Sequence, residues 1–243
     1  MSNGEQHQRP DMLVETEWLQ QYMGDPDLRI VDMGPLDGYK RGHIPGAMGL
    51  NRDYFKDPSN TKLVMPPDQF AEAMGQLGIG NEHNVVAYDE WGGLYASRLW
   101  WLLRMHGHEK VWVLNGGWNK WLKEGREVAQ PSIDSYHTNK AVSPHAPAKF
   151  VPRLHPEYNC TVDRLLESLD KPDFVTLDVR NIGEYSGAIT RGNKRGGHIP
   201  GTVHIEWIRA VTDDGFRTFR PPDELWEMYA SAGITPEKEV VVY

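Results

Sequence analysis

The pentapeptide Gly42-His43-Ile44-Pro45-Gly46 decides the fold, because it recurs as Gly197-His198-Ile199-Pro200-Gly201. The two copies lie 155 positions apart (197 − 42 = 155). Pro66-Pro67-Asp68 recurs as Pro221-Pro222-Asp223 at the same spacing, and Val85-Val86-Ala87-Tyr88 recurs as Val240-Val241-Val242-Tyr243. Three matches in one register, covering two turns and a strand, predict that the chain contains one structural unit twice.

The two copies differ in the connection that precedes the pentapeptide. Leu28–Asp32 matches Phe174–Asp178 at a spacing of 146 (178 − 32 = 146), so the second copy has the longer connection. Gly, Thr, Arg, Asn and Lys predominate between Ser186 and Gly197, and this composition predicts a polar loop.

Each copy combines an amphipathic helix, a buried strand that ends on Asp, the pentapeptide turn, a helix after Pro-Pro-Asp and an apolar strand that ends on Tyr. Short apolar strands that alternate with helices are typical of a parallel sheet covered on both faces. The predicted fold class is therefore α/β, with two domains of this kind. We expect the first domain at residues 11–128, a Pro- and Ser-containing linker at 129–156, and the second domain at 157–243.

Only the first copy continues past its apolar strand. Leu94–His106 predicts a helix, Val111–Leu114 a strand and Trp118–Lys123 a last helix. The second copy has no counterpart of residues 89–125, so we expect its C-terminal part to be absent. The sequence is then either a fragment of a longer protein or a naturally shortened variant.

Composition excludes several classes of partner. The formal net charge is −8 and 39% of residues are hydrophobic, so the sequence gives no basic surface for nucleic acid or anionic lipid. The longest apolar run, Leu99–Leu103, is too short to span a bilayer. The polar segment Met1–Pro10 lacks the apolar core of a secretory signal. These features predict a cytoplasmic protein without membrane partners.

Cysteine and histidine usage argues against a metal site. The single cysteine, Cys160, excludes an internal disulfide and a multi-thiolate zinc site. His106 closes a predicted helix and His108 follows its Gly cap, so we interpret this pair as capping or solvent-exposed residues rather than as ligands.

The motifs together resemble the tandem-domain rhodanese family, which includes thiosulfate and 3-mercaptopyruvate sulfurtransferases. The resemblance lies in the two pentapeptides, in Leu177-Asp178-Val179-Arg180, and in the pattern AxRxWWLLRxxGHxxVxVLxGGWxxW that starts at Ala96. It implies the rhodanese fold twice, with the active site at the domain interface. It also implies that a cysteine persulfide carries sulfur from a small anionic donor to a thiol or cyanide, without a metal or organic cofactor.

The resemblance implies roles for particular positions in the second copy. The catalytic cysteine of the family directly follows the strand that here ends at Tyr243. Arg180 stands where the family places an arginine that binds the anionic donor, and the first copy has Gly34 there. The alternative for Arg180 is a surface residue paired with Glu184.

In the first copy, Asp89 stands at the position of the cysteine, so we expect a degenerate, non-catalytic site. Its loop is then either a contributor to the interface or a plain turn. Cys160 matches Val14 in the upstream register, and we expect it to be a small buried apolar residue rather than the nucleophile. The strand-end aspartate (Asp32 and Asp178) and the pentapeptide histidine (His43 and His198) occur in both copies, which favours structural roles for them.

The sequence leaves the donor and two further classes of function open. Leu63-Val64-Met65-Pro66 lacks the histidine of many mercaptopyruvate-using members, and this favours thiosulfate over 3-mercaptopyruvate. A non-catalytic rhodanese-like binding or regulatory module is the main alternative to the enzyme. A phosphatase on the related fold would require a longer loop after the same cysteine.

Overall fold

The computed structural model describes residues 12–50, 55–130 and 141–243. The chain divides into two compact units, Met1–His155 and Pro156–Tyr243. The polar N-terminus and residues 131–140 of the predicted linker lie outside the described residues.

The first unit is built around a five-stranded parallel sheet with the order β1-β7-β6-β2-β3. Its strands are β1 (Leu13–Val14), β2 (Leu28–Asp32), β3 (Ala47–Gly49), β4 (Lys56–Asp57), β5 (Asn60–Val64), β6 (Asn84–Tyr88) and β7 (Val111–Leu114), of which β4 and β5 form a separate antiparallel hairpin. Its helices are α1 (Thr16–Tyr22), α2 (Leu36–Arg41), α3 (Pro67–Gln76), α4 (Ala96–Met105) and α5 (Gly117–Lys123).

Helix α4 shows how the sequence pattern produces this core. Leu99, Leu102 and Leu103 recur at helical spacing and are fully buried. Burying each such side chain contributes about 1.5–3 kcal/mol relative to exposure. The central strand β6 is buried from Val85 to Tyr88, as expected for a parallel strand covered on both faces.

The second unit repeats the central part of this arrangement. Its three-stranded parallel sheet has the order β10-β8-β9, which corresponds to β6-β2-β3 of the first unit. The elements are α6 (Val162–Ser168), β8 (Phe174–Asp178), α7 (Ile182–Ser186), β9 (Val203–His204), α8 (Pro222–Ser231) and β10 (Glu239–Val242), with 3-10 turns at Pro156–Tyr158 and Trp207–Ala210. The repeat predicted from the pentapeptides is thus confirmed.

The pentapeptide turns make the same contacts in both units. The backbone N–H of Ile44 donates to the Tyr88 hydroxyl at 3.2 Å, and that of Ile199 donates to the Tyr243 hydroxyl at 3.0 Å. His43 stacks on the ring of Tyr39 with centroids 3.8 Å apart, and His198 lies on Tyr185 at the same distance. These matched contacts support the structural role predicted for both histidines.

Several local predictions were wrong or incomplete. The hairpin β4–β5 and the short helices α2 and α7, between strand and pentapeptide, were not predicted from the sequence. His106 caps the C-terminus of α4, as one of the two interpretations of this pair predicted, but His106 and His108 are both buried and not solvent-exposed. The Nδ1 atom of His106 lies 2.7 Å from the Leu102 carbonyl oxygen and its ring stacks on Phe70, so this residue is part of the core.

The described end of the predicted linker packs on the first unit. Ala148 N–H donates to the Gly75 carbonyl at 2.9 Å, and Arg153 N–H donates to the His106 carbonyl at 2.9 Å. Phe150 is buried and meets Phe70 edge-on. Residues 141–155 therefore belong structurally to the first unit.

Candidate functional site

The carboxyl edge of each sheet carries the predicted site residues. In the first unit, Asp32 ends β2 and pairs in register with Tyr88 at the end of β6. In the second unit, Asp178 ends β8, and Tyr243 directly follows β10. The carboxyl ends of parallel strands are where α/β folds place ligand sites, so these edges are the candidate functional regions.

Arg180 is held firmly at the edge of the second sheet. Its Nε lies 3.0 Å from Oδ1 of Asp178, and one terminal nitrogen lies 2.5 Å from Oδ2, so it makes a bidentate pair with a fully buried carboxylate. The same terminal nitrogen donates to the Gly197 carbonyl at 3.0 Å, and the guanidinium carbon lies 5.1 Å from the centre of the Tyr243 ring.

The alternative prediction, that Arg180 is a surface residue paired with Glu184, was wrong about the partner. Glu184 pairs with Arg191 at 2.8 Å, whereas Arg180 pairs with Asp178. The Arg180 side chain is 29% exposed, so part of the guanidinium faces solvent at the carboxyl edge. A guanidinium in this position can meet an anion from solvent while Asp178 fixes its orientation.

The two strand-end aspartates have opposite pKa shifts. Burial raises the pKa of Asp178, but hydrogen bonds and charge from Arg180 outweigh this effect, and the pKa lies below its ordinary value. Burial raises the pKa of Asp32 to about 7, and the hydrogen bonds from the Tyr88 hydroxyl and the Gly34 N–H only partly oppose the rise. The difference follows from Gly34, which supplies no guanidinium.

Both aspartates also fix the backbone, as their repetition predicted. Oδ1 of Asp32 accepts from Gly34 N–H at 2.8 Å, and Oδ1 of Asp178 accepts from Arg180 N–H at 2.9 Å. Each carboxylate therefore closes the turn that leaves its strand.

Asp89 occupies a ring of backbone donors in the first unit. Its carboxylate is 1% exposed and accepts four N–H bonds of 2.7–2.9 Å, from Trp91 and Gly93 to Oδ1 and from Tyr95 and Ala96 to Oδ2. Two of the donors lie at the start of α4, where the helix dipole also favours a negative charge. The loop of residues 90–96 is thus an anion cradle that holds a carboxylate of its own chain.

Glycines make this cradle possible. Gly92 and Gly93 have φ of 79° and 96°, in the left-handed region that glycine tolerates. A Cβ at Gly117 would lie 2.2 Å from the Asp89 carbonyl oxygen, which itself accepts from Trp118 N–H at 2.9 Å. The sequence offered one signal of the cradle, the Gly92-Gly93 pair after Asp89, but the choice between loop and plain turn required the structure.

Cys160 lies apart from these groups in the chain and in its contacts. It is half-buried just before Thr161, the N-cap of α6, and its Sγ donates a weak bond of 3.5 Å to the Thr161 carbonyl. The expected full burial of this residue was wrong. Within the described ranges, no three His, Cys, Asp or Glu side chains lie close enough to hold a metal ion.

The fold and the two edges define a tandem α/β protein with one anion cradle and one oriented guanidinium. The model of the rhodanese-like domain matches residues 15–124 and 161–243, and the chain belongs to that family. Among the described residues, none of the helices is both long enough and apolar enough to cross a membrane.

Relatives cover nearly the whole chain. The sulfur carrier protein TtuD of Thermus thermophilus is 34% identical over 248 residues, which span 96% of this chain and 82% of that protein. The thiosulfate sulfurtransferase of Bos taurus is 33% identical over 248 residues, or 94% of this chain and 80% of that protein. The crystal structure of SseA from Escherichia coli, a 3-mercaptopyruvate sulfotransferase, superposes with a TM-score of 0.82 at 25% identity, covering 96% and 88% of the two chains.

Proposed function

We propose that this protein is a sulfurtransferase that moves sulfane sulfur from thiosulfate to a thiophilic acceptor such as cyanide or a thiol, with 3-mercaptopyruvate as the alternative donor. The observation that carries the proposal is the Arg180 guanidinium, which Asp178 holds over the Tyr243 ring at the carboxyl edge of the second sheet. A fixed, partly exposed guanidinium suits a small anionic sulfur donor. Family membership and the names of the relatives point to the same chemistry.

The proposed nucleophile is a cysteine at the position that directly follows Tyr243. Its thiolate attacks the outer sulfur of thiosulfate, the S–S bond of the donor breaks, and sulfite leaves with the electron pair. The cysteine keeps the transferred sulfur as a persulfide anion. Cyanide or an acceptor thiolate then attacks the terminal sulfur, which releases thiocyanate or the acceptor persulfide and restores the thiolate.

The loop of the first unit supports this placement by analogy within the chain. Asp89 follows β6 as the proposed cysteine would follow β10, and the loop after Asp89 turns four N–H groups towards one anion. The same loop geometry after Tyr243 would stabilise a thiolate or persulfide without a metal or organic cofactor. The first unit has a carboxylate in that place, cannot form a persulfide, and is proposed to be non-catalytic.

Reading the gene beyond codon 243 and assaying thiosulfate:cyanide transfer tests the proposal. We expect a cysteine codon next, activity in a chain that includes it, loss of activity when it is changed to serine, and no activity in the 243-residue chain. Arg180→Gln in the active chain should raise KM for thiosulfate, whereas Arg191→Gln, on an exposed arginine of the same unit, should not.

Two outcomes would contradict the proposal. A different residue at position 244 would favour a non-catalytic binding or regulatory module. Turnover by the 243-residue chain that Cys160→Ala abolishes would place the persulfide on Cys160.

A sulfur carrier, the role named for the Thermus thermophilus relative, differs in the second step. It would form one persulfide per chain with thiosulfate, visible by mass spectrometry, but would pass the sulfur slowly to cyanide.

A further inference from the structure

The second unit shows which groups at this edge bind a guanidinium. Arg180 is held by the Asp178 carboxylate and the Gly197 carbonyl, and it lies over an aromatic ring. The repeat places Asp32 and Gly42 at the positions of Asp178 and Gly197 in the first unit. The acceptor residues are therefore present twice, whereas Gly34 replaces the arginine.

A cavity of about 280 Å³ lies at this place in the first unit. It is several times larger than the roughly 30 Å³ that one water molecule occupies in the liquid. Its walls include Asp32, Gly34, Arg41, Gly42, Glu90 and Trp118. The cavity thus includes the counterparts of both Arg180 acceptors and of Arg180 itself.

The chemistry of the walls favours a planar cation. The walls contain two carboxylates, Asp32 and Glu90, and one guanidinium, Arg41, so they carry a net negative charge when Asp32 is ionised. The Trp118 ring adds an aromatic wall, and aromatic rings attract guanidinium groups through cation–π contact. Asp32 is 6% exposed, so an ion pair formed there would be shielded from solvent.

We propose that this cavity is a binding site for a small guanidinium-bearing molecule, which takes the position that the Arg180 side chain holds in the second unit. The ligand pairs with Asp32 in the bidentate geometry of Arg180 with Asp178, and its planar group packs against Trp118. This site is separate from the proposed sulfur-transfer site, because all its residues belong to the first unit.

The proposal predicts how binding depends on pH. The pKa of Asp32 is about 7, and only the ionised form pairs with a guanidinium. At pH 5 about one protein in a hundred has the ionised form, so methylguanidinium should bind about a hundredfold more weakly than at pH 8. Bound methylguanidinium should in turn lower the pKa of Asp32, as Arg180 lowers that of Asp178.

The test titrates the purified 243-residue chain with methylguanidinium by calorimetry and follows the Asp32 carboxyl by carbon NMR. Gly34→Arg should fill the cavity with its own guanidinium, lower the pKa of Asp32 and abolish binding. A Cβ at Gly34 would lie 2.9 Å from Oδ1 of Asp32, an approach that a small shift relieves. Gly24→Arg is the matched control, since a Cβ there meets nothing within 4 Å, and it should bind normally.

Three results would overturn the proposal. The first is the lack of saturable methylguanidinium binding below concentrations that unfold the protein. The second is equal binding of methylammonium, which would mean that charge alone is recognised. The third is binding of acetate that Arg41→Ala abolishes, which would assign the cavity to anions.

Discussion

The carboxylate of Asp89 offers the most direct test of the cradle in the first unit. Asp89→Ala would leave four backbone N–H groups without the acceptor they share. A hydrogen bond to a charged group contributes about 1.5–3 kcal/mol net, and bonds that share one acceptor do not add independently. We therefore expect a loss of about 4 kcal/mol in the free energy of unfolding of the first unit.

Asp89→Asn removes the charge of the side chain while it keeps the shape. The amide keeps one oxygen for one pair of N–H donors and turns its NH2 group towards the other pair, so two bonds are lost and donors face each other. The expected loss is about 2–3 kcal/mol. Asp57→Asn is the matched control, because Asp57 also accepts a backbone N–H, from Ser59 at 2.8 Å, but this hydrogen bond is exposed.

Urea unfolding and amide hydrogen exchange measure these changes. Exchange at Gly93 and Ala96 reports the cradle itself, so it distinguishes local opening from unfolding of the whole unit. We expect much faster exchange at these amides in both Asp89 variants and unchanged exchange in Asp57→Asn. Wild-type stability and unchanged exchange in Asp89→Asn would refute the cradle as a charge-dependent feature.

Two further predictions concern protonation. Arg180→Gly reproduces the arrangement of Gly34 in the first unit, so it should raise the pKa of Asp178 above its ordinary value, measured by carbon NMR of the carboxyl; an unchanged pKa would show that Arg180 does not control it. Burial holds the pKa of His106 below 6.5, so the unfolded chain gains a proton first and stability falls as the pH drops through 6.5. His106→Phe keeps the stack on Phe70 and should reduce this acid-induced loss in urea unfolding at a series of pH values, and an identical pH profile would contradict the assignment.

The regular elements were predictable because their patterns are strong and local. Val111–Leu114 was predicted to the residue, and α4 begins two residues after and ends one residue before the predicted bounds. Apolar runs and leucines at helical spacing carry these elements without help from distant residues. The repeat then allowed the elements predicted up to the apolar strand of the first copy to be predicted in the second copy as well.

The hairpin β4–β5 and the short helices could not be predicted, because their sequences carry no such pattern. Asn60–Val64 is mostly polar and exposed, so it lacks the alternation that marks a half-buried strand. Helices α2 and α7 have only six and five residues, too few for a period to be seen. Their position between strand and pentapeptide depends on tertiary contacts such as the stack of Tyr39 on His43.

The candidate site was predictable in position but not in contacts. The family resemblance, carried between the copies by the register of the repeat, indicated Arg180 and Asp89 as the site positions. The bidentate pair between Arg180 and Asp178 could not be predicted from the sequence, because the direction of the Arg180 side chain beyond the end of the strand depends on its tertiary contacts. The burial of His106 likewise depends on Phe70, 36 residues earlier (106 − 70 = 36).

The two units differ at the same edge in the charged groups that the chain supplies to it. In the first unit the chain supplies an anion, Asp89, to its own N–H cradle and supplies no cation to Asp32. In the second unit Arg180 supplies the cation to Asp178. If residue 89 were a cysteine, the first unit would still have no arginine at residue 34 to bind an anionic donor. Its thiolate would also lie next to Glu90 and near Asp32, which is half ionised near neutral pH. Like charges disfavour a thiolate and repel an anionic donor. We therefore expect that sulfur transfer by the first unit would require at least two substitutions together, a cysteine at residue 89 and an arginine at residue 34.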